Sequence, residues 1–297
     1  GYYAMLDNTT GGQHTAVGNS ALESNTTGSY NTAVGYRAAY STTSGAYNVA
    51  VGRCALGGNT TGTSNVAVGY SAAQSNTTGH NNTSVGEGAN NAKDGSLYTV
   101  AIGNCANQAA GSACNVVAIG PGALRCNTGG HRNVGVGISA LCNNTTGCNN
   151  TAIGEKSLTV NTTGCLNTAS GMYSLYSNTT GLYNTGVGAC AAYANTTGNY
   201  NTAVGYRSLK ANTTAIYNTA VGYALVSNTT GACNTGVGVD NLGANTTGCD
   251  NTALGFNTLN SNTTSCNNVA IGNSALTANT TGSSNTATGY AALKDTT

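Results

Sequence analysis

The sequence predicts an all-β protein, a parallel β-solenoid (β-roll) of about seventeen coils of 17 residues each. Two observations carry this prediction. A glycine recurs every 17 residues along most of the 297-residue chain, and each interval contains a turn-rich block of the type Asn-Thr-Thr-Gly. A period of 17 is too short for a repeat of two helices and too regular for a linker, whereas two or three short strands fit it.

The recurring glycine defines position 0 of the coil, which typically reads G-Y-x-A-L-x-S-N-T-T-G-x-Y-N-T-A-V. The glycines follow each other at this spacing from Gly1 to Gly222, and the spacing resumes from Gly238 after one interval of 16. We therefore expect a single continuous solenoid domain over residues 1–297, with a one-residue slip at 223–225 and irregular coils at 87–114. Because neither end carries a polar capping coil, we expect a fragment of a longer stack or a subunit that stacks axially.

The segment Asn-Thr/Val-Ala-Val/Ile-Gly alternates as a strand does, so positions 14 and 16 share one face and position 15 takes the other. Position 14 exchanges Thr for Val, as at Val49 and Val66, so we expect it to face inward and to meet the leucines of position 4, such as Leu22. We expect the small Ala of position 15 to allow neighbouring chains to approach. Gly at position 10 should adopt positive φ at a corner, and Asn at positions 7 and 13 should form hydrogen-bonded ladders.

Composition argues against several classes of function. Charged residues make up 6% of the chain and the formal net charge is +1. We therefore expect no electrostatic field strong enough to attract nucleic acid or an anionic membrane. No apolar run approaches the ~18 residues that span a bilayer. We find no recurring carboxylate pair, no C-x-x-C motif, and three dispersed histidines. We therefore expect no enzyme activity, no catalytic, cofactor or metal site, no nucleic-acid partner and no membrane insertion.

Eleven cysteines in a chain of low charge indicate an oxidising compartment. Three pairs occupy the same or adjacent positions in consecutive coils and are candidates for disulfides: Cys148 with Cys165, Cys249 with Cys266, and Cys126 with Cys142. The other five lack a same-position partner in the next coil and are candidates for free thiols or bonds to another chain: Cys54, Cys105, Cys114, Cys190 and Cys233. The alternative is that small thiols simply fill slots taken elsewhere by Tyr or Ala.

Sequons of the type N-x-T recur along the chain and would place N-glycans in one stripe if the producer glycosylates asparagine. The candidates are Asn8, Asn25, Asn59, Asn76, Asn144, Asn161, Asn178, Asn195, Asn212, Asn228, Asn245, Asn262 and Asn279. The alternative is that Asn and Thr bond their own corner. Tyrosines at positions 12 and 1 should form stacked ladders, either as packing for a partner chain or as a sugar-binding strip.

The pattern N-T-A-V-G-Y-x-A-L-x-S-N-T-T-G resembles the repeats in the shafts of phage and large-virus tail fibres. The variant at 268–272, N-V-A-I-G, is similar to the head repeat of trimeric autotransporter adhesins of the YadA type, although this coil is longer. The resemblance covers the whole chain. It implies a left-handed β-roll, a homotrimer of chains lying side by side, and an adhesive or scaffolding role.

These observations predict a structural component of an extracellular, cell-surface or virion fibre, assembled from copies of itself as a trimer or filament and stapled by disulfides. One alternative is an adhesin or receptor-binding head that recognises a cell-surface glycan, for which only coils 87–114 offer a distinct surface. A third is an ice-binding solenoid with flat Thr rows. The Thr residues of positions 8 and 9 are sequential and so point to opposite sides, which disfavours that alternative.

Overall fold

The computed structural model describes residues 1–91, 95–109, 111 and 113–295. The chain divides into two compact units, Gly1–Asn149 and Asn150–Thr297. Every regular element among the described residues is a β-strand, and neighbouring strands within each unit pair in parallel. The predicted all-β solenoid is therefore confirmed for each unit.

The described part of the first unit contains eight strands, one per coil. They are β1 (Thr15–Val17), β2 (Thr32–Val34), β3 (Val49–Val51), β4 (Val66–Val68), β5 (Thr83–Val85), β6 (Val100–Ile102), β7 (Val117–Ile119) and β8 (Val134–Val136). Each strand pairs with the next at a constant offset of one repeat, as Val49 does with Val66. Equivalent positions of the repeat therefore form straight columns.

The second unit contains nine strands in its described part. They are β9 (Thr151–Ile153), β10 (Thr168–Ser170), β11 (Thr185–Val187), β12 (Thr202–Val204), β13 (Thr219–Ala224), β14 (Thr235–Asn241), β15 (Thr252–Phe256), β16 (Val269–Ile271) and β17 (Thr286–Thr288). The register between β13 and β14 shifts between Tyr223 and Ala224, within the interval of 16 residues. Pairing is regular again from Thr235 with Thr252. One strand pair therefore absorbs the missing residue.

The coil interior is narrower than the alternation of the strand suggested. Leu at position 4 is fully buried, as predicted, but its partner is the residue at position 15 of the same coil, as in the coil where Leu158 and Ala169 are both 0% exposed. Positions 14 and 16 lie outside and are half-buried or exposed. At Gly135, which occupies position 15, a Cβ would already lie 3.2 Å from Leu124 Cδ1. The expectation that position 14 faces inward and that position 15 faces neighbouring chains is therefore wrong, because only a methyl group fits opposite the leucine.

The corners also differ from expectation. Gly28 and Gly62 of position 10 do not have positive φ. Instead, a Cβ on Gly62 would lie 2.5 Å from the carbonyl oxygen of Gly79 in the next coil. Glycine is therefore favoured here because the backbones of the two coils approach closely. Ala215 occupies the same position in another coil. The choice of residue at position 10 is therefore limited by the space between coils and not by a need for positive φ.

Positive φ is found at positions 0, 2, 4 and 12, and three of these positions carry side chains. Ser20, Leu22 and Tyr30 have φ of 57°, 52° and 61°. A left-handed conformation costs a non-glycine residue roughly 1–2 kcal/mol. Each of these residues donates its backbone N–H to a carbonyl of an adjacent coil, as Leu22 does to Ala38 O at 3.0 Å. The stacked coils thus stabilise a conformation that one coil alone would disfavour.

The irregular coils at 87–114 keep the frame of the repeat. Val100 pairs with Val117 in β6 and β7, and Leu97 forms a parallel bridge with Cys114. The Asn-Thr-Thr-Gly corner is absent from the sequence around 93–95 and 108–110, and of these segments Lys93, Asp94 and Ala110 lie outside the described residues.

Candidate functional surfaces

The asparagines of position 7 form the first of two interior ladders. In the second unit, Asn195 Nδ2 donates to Asn178 Oδ1 at 2.8 Å and to Gly198 O of its own corner at 3.0 Å. Its own Oδ1 accepts from Asn212 Nδ2 at 2.8 Å. Each amide thus links its coil to the coils before and after it, and the predicted ladder is confirmed.

The asparagines of position 13 form the second ladder. Asn201 Nδ2 donates to Asn184 Oδ1 at 3.1 Å and to Ala215 O, in the next coil, at 2.8 Å, while its backbone N–H donates to the same Asn184 Oδ1 at 3.0 Å. Ala215 O also accepts from Asn212 of position 7 at 3.2 Å. The carbonyl of position 10 therefore joins the two ladders, and buried polar groups satisfy one another across coils.

These ladders include the predicted glycosylation sites. Twelve of the thirteen sequon asparagines are buried at no more than 1% exposure: Asn25, Asn59, Asn76, Asn144, Asn161, Asn178, Asn195, Asn212, Asn228, Asn245, Asn262 and Asn279. Asn8 is half-buried, and its Nδ2 donates to Gly11 O at 2.9 Å. The acceptor nitrogen of a glycan is thus engaged within the coil, as the alternative of Asn bonding its own corner requires.

The structure describes all eleven cysteines as thiols. Among the predicted disulfide pairs, the Cys249 N–H donates to Cys266 Sγ at 3.1 Å. The hydrogen bond to Cys266, desolvation and the neighbouring Asp250 together raise the pKa of Cys249 to about 12. The two residues are therefore in contact, and the raised pKa favours the protonated form of the Cys249 thiol.

The pair Cys126 and Cys142 is joined through the backbone, since Cys126 N–H donates to Cys142 O at 2.9 Å. Cys142 is buried, and desolvation raises the pKa of its thiol while Arg125 acts in the opposite direction. For the third predicted pair, Cys148 belongs to the first unit and Cys165 to the second. The disulfides stay a prediction for all three pairs.

The other five cysteines lie at the coil surface. Cys54, Cys105 and Cys190 occupy position 2 and are half-buried, and Cys233 at position 12 is exposed. Desolvation raises the pKa of Cys233, and Asp250 adds to the effect.

Cys114 lies at position 11, and its neighbour in the next coil is His131, which sequence analysis had not connected with the cysteines of that position. Cys114 N–H donates to His131 Nδ1 at 3.1 Å, and His131 N–H donates to Cys148 Sγ at 3.4 Å. Metal ligands thus follow one another in successive coils. Nevertheless, within the described ranges no group of three His, Cys, Asp or Glu side chains is placed to hold a metal ion.

The predicted tyrosine ladders of position 12 are present. The parallel pairs are Tyr30–Tyr47, Tyr183–Tyr200 and Tyr200–Tyr217, with ring centroids 4.9, 4.9 and 5.0 Å apart. At position 1, Tyr206 and Tyr223 stack more loosely, with centroids 6.5 Å apart. The rings of the position-12 ladders are about half exposed and form short aromatic strips on each unit.

Sequence analysis missed a second aromatic cluster, here named the cationic tyrosine patch. It lies in the second unit where positions 2 and 5 of successive coils adjoin, and consists of Lys156, Tyr173, Tyr176, Cys190, Tyr193, Arg207 and Lys210. The rings of Tyr176 and Tyr193 stack with centroids 5.2 Å apart and planes 6° apart. The spacing of 17 from Tyr173 through Cys190 to Arg207 was the sequence signal for this cluster.

The patch surrounds a cleft of about 420 Å³, lined by Tyr173, Cys190, Tyr193, Arg207 and Lys210. Lys156 Nζ donates to Tyr173 OH at 3.3 Å, and this hydrogen bond raises the pKa of Lys156. The Nε–H of Arg207 is buried and has no hydrogen-bond partner among the described residues. The cleft thus combines cations and aromatic rings, and one of its lining residues, Arg207, carries an unused donor.

No family model, curated protein or solved structure gives a significant match to this chain. The described residues also contain no helix with the length and apolar character needed to cross a membrane. The functional interpretation therefore rests on the repeat and on the surfaces described above.

Proposed function

We propose that this chain is a structural segment of an extracellular or virion fibre, a shaft of stacked coils that assembles with copies of itself. The observation that carries the proposal is the pair of asparagine ladders, which recur between coils in both units. Each coil is bonded to its neighbours by side chain and backbone alike, so stability comes from stacking and not from any single coil. Such an interior suits a part whose task is rigidity and length.

The outer strand face supports association between copies. Position 16 presents apolar side chains, with Ile153 46% and Val187 37% exposed, beside the Thr or Val of position 14. Exposed aliphatic side chains that recur in this way are uncommon on a protein that acts alone. The resemblance of the repeat to tail-fibre shafts and trimeric adhesin heads agrees with lateral association.

Two measurements test the proposal: the location of the protein in the source and the mass of its assembly in solution. Antibodies against the purified chain should label external filaments or virion fibres in thin sections of the source, and sedimentation equilibrium should give a trimer or a longer assembly. Labelling confined to the cell interior, or a monomer at every concentration, would contradict the proposal.

A second test asks whether the coil is the structural unit of the shaft, by deleting whole coils or part of one. Removing residues 171–204 deletes two whole coils of the second unit and should leave a folded protein that is shorter by about 10 Å, since coils stack at about 4.8 Å. Removing residues 171–178 deletes half a coil and should disrupt folding. Equal effects of the two deletions would argue against a shaft built from interchangeable whole coils.

Ice binding is the second candidate function, and the structure changes the argument about it. The relevant Thr row lies at position 14, not at positions 8 and 9, because the strands of the second unit begin with Thr on the outer face from Thr151 to Thr252. We would expect thermal hysteresis from the purified chain if this face binds ice. The Thr202→Lys variant, which places a charged side chain in the row, should then abolish the hysteresis.

A further inference from the structure

We propose that the cationic tyrosine patch of the second unit binds an acidic saccharide, with the sugar carboxylate held by Arg207 and Lys210 and the sugar ring against Tyr193. The inference goes beyond the fibre proposal and does not depend on it, because the patch lies within one unit of one chain. A fibre without this site, or this site on a protein that is not a fibre, would each be consistent with the structure described.

The distribution of charge is the first argument. The second half of the chain, residues 150–297, contains four Lys and Arg residues, and all except Lys294 belong to the patch. The five residues lining the cleft include no carboxylate. In a chain with so few charges, this grouping is selective for an anion.

The unused donor is the second argument. Arg207 Cζ lies over the ring of Tyr206, 5.1 Å from its centroid, in a cation–π contact. Its Nε–H is buried without a partner, and a buried donor of this kind is costly until an acceptor arrives. A carboxylate fits the guanidinium better than a neutral hydroxyl does, since it can accept two parallel hydrogen bonds.

The aromatic surface is the third argument and favours a sugar over other anions. Tyr173 is tilted by 59° against Tyr176 and by 56° against Tyr193, so the three half-buried rings form a bent aromatic surface, and each ring carries a hydroxyl group. Such a surface offers an apolar surface and polar partners together, as a pyranose ring requires. The cleft of about 420 Å³ is within the size range of small-ligand sites.

Nucleic acid fits less well. Binding of a phosphate backbone uses a row of cations that follows the strand over several nucleotides. Here the cations are confined to Lys156 at one end of the patch and to Arg207 and Lys210 at the other.

The test is a calorimetric titration of the full chain with galacturonate oligomers and with neutral galactose oligomers of equal length. We expect galacturonate to bind about tenfold more tightly than the neutral sugar, because charge-assisted hydrogen bonds are lost with the carboxylate. Arg207→Gln and Lys210→Gln should each weaken galacturonate binding by about fivefold. Lys294→Gln removes a cation of the same unit outside the patch and should leave binding unchanged.

Equal affinity for the acidic and neutral sugars, or unchanged binding by both patch variants, would overturn the proposal. Tighter binding of a single-stranded oligonucleotide that is lost in Arg207→Gln would assign the patch to nucleic acid instead. If Arg207→Gln fails to fold, as circular dichroism would show, Lys210→Gln and Tyr193→Ala provide the decision, and each should weaken galacturonate binding.

Discussion

Asn212 donates from its side-chain amide to Asn195 Oδ1 across 2.8 Å, and Asn195 donates in the same direction to Asn178. All three side chains are fully buried. The amides of this ladder therefore point the same way along the stack, and each hydrogen bond polarises the next.

Replacing one amide in this ladder should be costly. Asn195→Ala leaves Asn178 Oδ1 without its donor and Asn212 Nδ2 without one acceptor, so we expect a loss of about 2–3 kcal/mol of unfolding free energy. Urea denaturation measures it. Thr197→Ala, an exposed position of the same corner, should change the free energy by less than about 0.5 kcal/mol. Similar effects of the two variants would show that the ladder contributes nothing specific.

The direction of the strand side chains can be tested directly with a pair of valine substitutions. Ala169→Val adds two methyl groups at position 15 of a coil whose position 4 is the buried Leu158, and should destabilise the protein by about 1–3 kcal/mol. Thr168→Val, one residue earlier, places on the outer face a residue that other coils already carry, and should be neutral within about 0.5 kcal/mol. Thermal melts of both variants give the comparison, and the reverse order would restore an inward-facing position 14.

The thiol of Cys249 should resist alkylation at moderately alkaline pH. Its pKa is raised from 9.0 to about 12, with the hydrogen bond to Cys266 as the largest cause. A raised pKa means that folding favours the protonated thiol. Any stabilisation from this effect is therefore complete below pH 9 and is lost as the pH rises toward 12.

Peptide mass mapping after iodoacetamide treatment at pH 9 measures this protection. Cys249 should react more slowly in the folded chain than in urea, because the thiolate is the reactive form. Cys266→Ser removes the sulfur partner and should speed the reaction. An unchanged rate in that variant would assign the protection to burial or to Asp250.

Oxidation should join Cys249 to Cys266. Neighbouring coils are about 4.8 Å apart, within the Cα separation that a disulfide accepts. After exposure to oxidised glutathione, non-reducing peptide mapping should show the two peptides linked, and Cys249→Ser should abolish the linked species. Full alkylation of both thiols without reduction would exclude the bond.

Glycosylation should depend on whether the coil is folded. An oligosaccharyltransferase given the folded chain should leave Asn195 unmodified, because its Nδ2 is buried and donates two hydrogen bonds. The urea-unfolded chain, diluted into the same reaction, should be modified there. Glycopeptide mapping reports both results at this site, and a glycan on Asn195 of the folded chain would contradict the buried ladder.

The period of the sequence was sufficient to predict the columns, and through them the ladders of Asn195 and Asn201 and the burial of Leu209. Alternation alone could not predict which face of the strand is inside, since it groups positions 14 and 16 without orienting them. The deciding factor was the space opposite the leucine of position 4, which in the coil of Leu158 admits Ala169 and leaves Thr168 on the outer face. Likewise, the sequence suggested that Gly62 is needed for positive φ, whereas it is needed because Gly79 of the next coil lies so close. The distance between neighbouring coils cannot be read from the amino-acid sequence.

The candidate sites were predictable to a smaller extent. Cys249 and Cys266 were paired from their shared position, and the structure brings them into contact. The cationic tyrosine patch escaped notice because positions 2 and 5 vary from coil to coil, so it appears only when Tyr193 and Arg207 are considered together across coils.

The register shift at Tyr223 and Ala224 has an evolutionary consequence. A coil that is one residue shorter there leaves Thr235 and Thr252 paired in register. The structural effect of a one-residue deletion in the gene can therefore stay within the coil in which it occurs. Unequal recombination between such similar stretches of gene would add or remove whole turns while every surviving neighbour keeps its contacts. Length in this lineage is therefore expected to drift freely, and orthologues should differ in multiples of the repeat far more often than in odd fractions of it.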